Sequence, residues 1–456
     1  MNHTKTLLRG GALLCTLLQA GSALAAVTAE QAAQLQTTLT PIGAERAASA
    51  DGRIPAWDGG LAKANLRLLA NGIPADPFAD EQPLLTIDAS NYTQHQEHLS
   101  PGQIALLRRF PDSYRLPVYP SHRSVAVSES VAQAAARNAV NAKLSNGGNG
   151  VDGFAGVVAF PIPQNGLEVL WNHLTRNRNP SFSLITDSAA PQKDGAYTVM
   201  TTQQYFTRGE AVQGQAPDKA RNILYYYSHK LTAPARMVGE VVLVHETLDQ
   251  VAEPRLSWVY SAGQRRVRRA PSVAYDSAGP TTAGLRTADG RDMFNGAPDR
   301  YDWQLVGKKT LYVPYNSYRL ASPERSYEAL IQPGHVAPEA TRYELHRVWE
   351  VVATLKPGMR HIYSKRHYFI DEDTWAILAA DHYDNRGELW RIGEAHSFYH
   401  PTGQAAVNAM EVTYDLNNGR YLASGLVNEQ RQPFDFSYRA SASDYSPGAL
   451  RSKGLR

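Results

Sequence analysis

The sequence predicts an α+β protein, mainly β, in which a curved antiparallel sheet follows a helical and loop-rich amino-terminal extension. Three observations predict it. Tyr343, Leu345, Trp349, Val351, Ala353 and Leu355 recur on one face at a spacing of two, with Glu344, His346, Glu350 and Thr354 on the other. Pro357-Gly358, Asp371-Glu372-Asp373 and Asp384-Asn385-Arg386-Gly387 divide the stretch from Tyr343 to Ser397 into four strands. Alternation bounded by turn formers marks an antiparallel meander. The chain also holds 24 Tyr against 11 Phe, and Tyr suits strands with one apolar and one wet side. Val348, Val352, Phe369 and Leu378 fall on the face expected to be exposed. Part of that face is therefore expected to be covered too.

The elements follow in order. Lys5 and Arg9, the uncharged run Gly10 to Leu18, and Ala23-Leu24-Ala25 read as a secretory signal peptide cleaved after Ala25. The apolar run falls short of the ~20 residues that a membrane span needs. Cys15, the one cysteine, lies inside that run and is discarded with it, so the mature chain has no disulfide, thiolate metal site or Cys nucleophile. It is not a lipoprotein on this reading, and the expected location is the periplasm. Without Lys5 and Arg9, the 46 basic residues become 44, against 43 acidic. That balance gives no case for nucleic acid or an anionic membrane.

Thr28-Ala29-Glu30-Gln31 is a capping-box pattern and predicts a helix to about Leu39. Residues 43–82 lack periodicity and are expected to wrap over the main body with Trp57 as an anchor, disorder being the alternative. Further helices are expected at about 91–99, from Ser100-Pro101 to Phe110, and from Ser128 to Lys143. Asn146-Gly147-Gly148-Asn149-Gly150 is the expected boundary. A helix at 166–176 carries Leu167, Leu170, Trp171 and Leu174 on one face. Strands are then expected near 182–187, 197–208, 223–231, 238–248, 255–260 and 265–269. A polar, Gly-rich loop covers 273–302. A strand at 308–312 leads into the meander, and strands at 410–416 and 421–427 close the sheet. The residues from Tyr445 read as a loose tail. Arg265, Arg266, Arg268 and Arg269 read as a solvated hairpin, with a lipid-phosphate or partner contact as the sharper alternative. No repeat of fixed period argues for a propeller or solenoid.

Catalytic and metal signatures are absent. His95 and His98 are three apart, not the four of a zinc protease helix. His245, His346, His361, His367, His382, His396 and His400 lie on or beside strands, where neighbours usually satisfy them. No metal or cofactor is expected, and no catalytic residue can be named. The aromatic residues are more informative. Trp171, Trp258, Tyr260, Trp349, Val351, Tyr368, Phe369, Trp375 and Trp390 are candidates to line a ligand cavity, with a packed core as the alternative. One face of the sheet packs on helices while the other lines a cavity, or the order is reversed.

Several separated motifs occur in one order. They are Leu39-Thr40-Pro41-Ile42-Gly43-Ala44-Glu45-Arg46, Ile54-Pro55-Ala56-Trp57-Asp58-Gly59-Gly60, and Phe160-Pro161-Ile162-Pro163 with Trp171-Asn172-His173-Leu174. Phe294-Asn295-Gly296, Arg300-Tyr301-Asp302-Trp303, Val313-Pro314-Tyr315-Asn316-Ser317-Tyr318 and Arg360-His361-Ile362-Tyr363-Ser364-Lys365-Arg366 follow. Together they resemble the periplasmic family known as domain of unknown function 1329. The resemblance implies a fold like the lipoprotein carriers LolA and LolB, an incomplete, strongly curved β-barrel plugged by helices, with a hollow for acyl chains. It implies a partner transporter of the resistance-nodulation-division (RND) type or an outer-membrane protein, and outer-membrane lipid or lipoprotein trafficking. The expected organisation is a leader at 1–25, a wrapping extension at 26–150, the barrel at 151–440 and a tail at 441–456. The expected function is non-catalytic carriage of a lipid or other hydrophobic ligand, with helix 166–176 and loop 276–302 as plug and lid. A structural adaptor and an enzyme on the same scaffold are the alternatives.

Overall fold

The computed structural model describes residues 27–61, 66–215, 222–270, 275–279 and 281–455. The leader expected at 1–25 lies outside them. Eighteen strands occur among the described residues. They are β1 (Leu85–Ile87), β2 (Leu116–Val118), β3 (Lys143–Ser145), β4 (Gly150–Asp152), β5 (Ser181–Ala189), β6 (Met200–Arg208), β7 (Ile223–Ala233), β8 (Val241–Thr247) and β9 (Leu256–Ser261). The rest are β10 (Arg266–Arg269), β11 (Tyr301–Pro314), β12 (Tyr343–Leu355), β13 (Lys365–Asp371), β14 (Ile377–Tyr383), β15 (Leu389–His400), β16 (Ala405–Asp415), β17 (Arg420–Leu426) and β18 (Phe434–Asp435).

Sixteen of them form one sheet. Its order runs β1-β2-β12-β13-β14-β15-β16-β17-β5-β6-β7-β8-β9-β10, with β11 on β12 and β18 on β5. Two antiparallel meanders, β11 to β17 and β5 to β10, are joined edge to edge where Ala423 and Ser424 pair with Ala189 and Ser188. The path has two free ends, so the sheet is open and not a closed barrel. The edge strand β10 carries Arg266, Arg268 and Arg269 exposed, which blunts a row of backbone groups otherwise open to another strand.

Both faces of the central meander are covered, which accounts for its apolar residues on each side. On one face, the helix Pro101–Arg109 packs Leu106 and Leu107 among Ile392, Met410 and Val412. Ser100 caps this helix in a reciprocal box with Gln103, and Pro101 sits where a missing N–H costs nothing. On the opposite face, the helix Gly166–Thr175 packs Val169, Leu170, Trp171 and Leu174 among Val351, Ala353, Tyr368, Ile370 and Trp375. Asn165 caps it by accepting from the Glu168 N–H.

The amino-terminal segment is tied down as a strap. Trp57 is half-buried, and its indole donates to Val125 O at 3.1 Å. Gly43 has a φ of +100°, and a Cβ there would lie 1.7 Å from Pro161 O. Only glycine lets the strap approach the Phe160-Pro161 segment so closely.

Some elements differ from the sequence expectation. The strand expected at 308–312 spans Tyr301–Pro314, because it pairs with β12 along its whole length across a bulge between Leu305 and Gly307. The helix expected at 91–99 is two 3-10 turns, Tyr92–Gln94 and Gln96–His98. The amino-terminal helix shortens to Ala29–Ala33 plus the 3-10 turn Gln34–Gln36. The tail expected to be loose forms the helix Pro447–Leu455. It is held because Leu450 and Tyr445 bury against Val241, Leu243 and Tyr260.

Candidate functional site

Five strands that are neighbours in the sheet, β16, β17, β5, β6 and β7, line a cavity of about 240 Å³. Side chains from all five converge on it, so this part of the sheet is concave. Alternation decides which side chains point in. Phe182, Leu184, Thr186 and Ser188 come from β5, Thr202, Gln204 and Phe206 from β6, and Tyr225, Tyr227 and His229 from β7. Val407, Asn408, Glu411 and Ser424 come from β16 and β17, and Phe434 from β18. The aromatic wall is continuous: Phe182 stacks on Phe206 with centroids 5.0 Å apart, and Phe206 meets Tyr225 at 4.9 Å.

The rest of the lining comes from two segments outside these strands. Arg176 and Arg178 follow the helix Gly166–Thr175, and Thr281, Arg286, Arg291, Asp292 and Asn295 come from the long loop before β11. The loop is anchored at several points. Asp289 accepts from Arg366 Nη2 at 2.6 Å and from His361 Nε2 at 3.1 Å. Asp292 accepts from Arg178 Nη1 at 2.6 Å and from Arg176. Asn295 accepts from the Tyr225 hydroxyl at 2.8 Å. Met293 and Phe294 are buried in the same core as the helix Gly166–Thr175. The loop is thus a packed roof, and the helix fills the same face of the sheet beside it.

The cavity is amphipathic. Arg178 lies over the rings of Phe206 and Tyr225, at 5.0 and 5.4 Å, and Arg291 lies 3.5 Å from the Tyr227 ring centre. Arg286 Nη1 donates to Glu411 Oε2 at 3.2 Å and to the Ser424 hydroxyl at 3.0 Å. Burial favours the neutral form of Asp292, but Arg176 and Arg178 outweigh it and hold its pKa below the usual carboxylate range. Burial and the Arg291 guanidinium push His229 down to about 3, so it is neutral.

The residues 86–451 match the family model described as "Protein of unknown function (DUF1329)". The chain belongs to this family. It is 54% identical, over 456 residues and the full length of both chains, to the uncharacterized protein PA3922 of Pseudomonas aeruginosa. Among solved structures, a DUF1329 family protein from Desulfovibrio piger shares 15% identity, with a TM-score of 0.43, 62% of this chain covered and 97% of that one. The LolA superfamily protein NE2245 from Nitrosomonas europaea shares 13% identity, with a TM-score of 0.35 and coverages of 60% and 92%.

In this DUF1329 chain, none of the nine aromatic and apolar residues singled out from the sequence is among those lining the cavity. Trp171 packs in the helix–sheet core, and its indole donates to Gly148 O at 3.0 Å. Trp349 stacks on Trp375 at 6.0 Å, and Val351 and Tyr368 belong to the same core. Phe369 points to the other face, beside Leu311 and Val348. Trp258 and Tyr260 lie with the carboxy-terminal helix, and Trp390 donates to Asp415 Oδ2 at 3.1 Å. The lining residues were nonetheless written in the sequence. Positions 182, 184, 186 and 188, then 202, 204 and 206, then 225, 227 and 229, each recur at a spacing of two in consecutive strands.

A second cluster has metal-ligand chemistry. His346, Asp371 and Asp373 are buried, with one candidate ligand atom of each within 4.8 Å of the others. Asp373 and His346 are already engaged. Arg123 grips Asp373 through Nε at 2.8 Å and Nη2 at 2.6 Å. His346 Nε2 lies 3.1 Å from Glu344 Oε2, and Tyr315 stacks on the imidazole at 3.8 Å. Burial opposes charge on His346, but Glu344 and Asp371 outweigh it and raise its pKa. The Arg123 guanidinium therefore supplies positive charge of the kind that a metal would bring. The cluster fastens the strap to the sheet, since Arg347, bonded to the adjacent Glu372, also donates to Ala47 O at 3.0 Å.

Proposed function

We propose that this protein is a periplasmic carrier that takes up a hydrophobic molecule in the cavity beneath the 281–295 loop. The observation that carries this reading is the cavity itself. Protein interiors are close-packed, yet here Phe182, Leu184, Phe206, Val407 and Phe434 face space. Each methylene placed there would gain roughly 0.8 kcal/mol. The sequence of the leader supports a secretory route. Binding fits better than catalysis. The cavity's charged side chains are arginines and carboxylates largely committed to one another, and its histidine is neutral because it is buried. A carrier needs a donor and an acceptor, and a transporter of the RND type or an outer-membrane protein is the partner class the family resemblance favours.

The test is to purify residues 26 onward from the native compartment without detergent and extract the protein for mass spectrometry. A stoichiometric lipid or apolar metabolite is expected. An empty protein that also takes up no dansyl-labelled fatty acid would overturn the carrier reading.

A further inference from the structure

The cavity's polar groups are unequal in number. Four arginines, Arg176, Arg178, Arg286 and Arg291, meet only two carboxylates, Asp292 and Glu411. Asp292 is shared by Arg176 and Arg178, and Glu411 is taken by Arg286. Arg291 is left without a carboxylate within 4 Å among the described residues. Its Nη2 donates to the neutral Gln204 Oε1 at 2.8 Å, and its guanidinium rests on the Tyr227 ring. Gln204 is itself held by the Tyr227 hydroxyl, which donates to the same oxygen at 2.9 Å. The guanidinium is therefore fixed in place at the wall of an amphipathic space. A partly buried cation costs free energy unless an anion accompanies it, and a planar guanidinium is suited to grip a carboxylate or phosphate by two hydrogen bonds.

We propose that the ligand is an anionic amphiphile, an acyl chain ending in a carboxylate or a phosphate, and that Arg291 binds its headgroup. This rests on the carrier reading and deepens it. The chain would lie along the wall of Phe182, Leu184, Phe206 and Phe434. The headgroup would sit under the roof, where the surplus positive charge is. Ligands of the same length with a neutral or cationic head would leave Arg291 unpaired.

The experiment measures displacement of dansylaminoundecanoic acid from the full mature chain by hexadecanoate, hexadecyl phosphate and hexadecanol. Wild-type protein is expected to bind one or both anions at least tenfold more tightly than the alcohol. The preferred anion tells a fatty-acid source from a phospholipid one. Arg291→Gln is expected to weaken anion binding by about tenfold to a hundredfold, while hexadecanol binds as before and Arg291→Lys restores part of the loss. If hexadecanol binds wild-type protein as tightly as the anions, this proposal falls while the carrier reading stands. Equal weakening of the alcohol and the anions by Arg291→Gln would show a merely structural arginine and overturn it. If no probe binds wild-type protein at all, the carrier reading fails first.

Discussion

Trp375 has a φ of +58°, in the turn between β13 and β14. A bulky residue in that region is strained unless its surroundings hold it. Here they do: its indole donates to Ile42 O at 2.8 Å and its ring stacks on Trp349, so one side chain ties the amino-terminal strap to the sheet. Trp375→Ala should lose about 3–5 kcal/mol, read as a lower urea midpoint, and should make the strap sensitive to protease. Asp381 gives a pH prediction. Burial, with Glu394 nearby, pushes its pKa up to about 7, although the Gly102 N–H donates to it at 3.0 Å. An unfolded Asp titrates near 3.9, so the folded state holds the extra proton between about pH 4 and 7. This contribution is therefore full at acid pH and is lost as pH rises through about 7. Asp381→Asn should flatten the fall in stability between about pH 4 and 7, measured as urea midpoint against pH. An unchanged slope would refute the assignment.

The helix Pro101–Arg109 illustrates what an element needs beyond its own pattern. Its cap was legible as Ser100-Pro101-Gly102-Gln103, because capping is local chemistry. Its docking was not legible. A Cβ at Gly102 would lie 2.0 Å from Asp381 Oδ1 and 2.9 Å from Ile392 Cγ2. Gly102→Ala should therefore destabilise the protein by a few kcal/mol, as overpacked sites do, although alanine is the better helix former. Denaturant unfolding checks the sign. The tail gives the reverse case. Pro447–Leu455 carries no amphipathic run in sequence, and Leu450 buries only because β8 and β9 offer Tyr260 and Leu243. Deleting residues 447–456 should expose that surface and raise the binding of a hydrophobic dye.

At the scale of the whole molecule, the cavity is a property of sheet order. Strand β17 lands on β5, which sets Ser424 opposite Ser188 and lets β16 and β18 complete the wall that β5, β6 and β7 begin. Leu184→Trp should fill that hollow and abolish uptake of the dansyl fatty acid, with a melting temperature within a few degrees of wild type. Retained uptake would place binding elsewhere. The sequence by itself determined the mainly β class, most strands to within a few residues, the capped helices and the family, because period-two alternation, caps and motifs are local signals. It also indicated apolar residues on both faces of the meander. Only the tertiary structure decided which part of a face is packed and which is hollow. Alternation assigns a side chain to a face but is blind to what covers the face. Trp349, Tyr368 and Trp375 are covered by the helix Gly166–Thr175, whereas Leu184 and Phe206 line the cavity beneath the 281–295 loop.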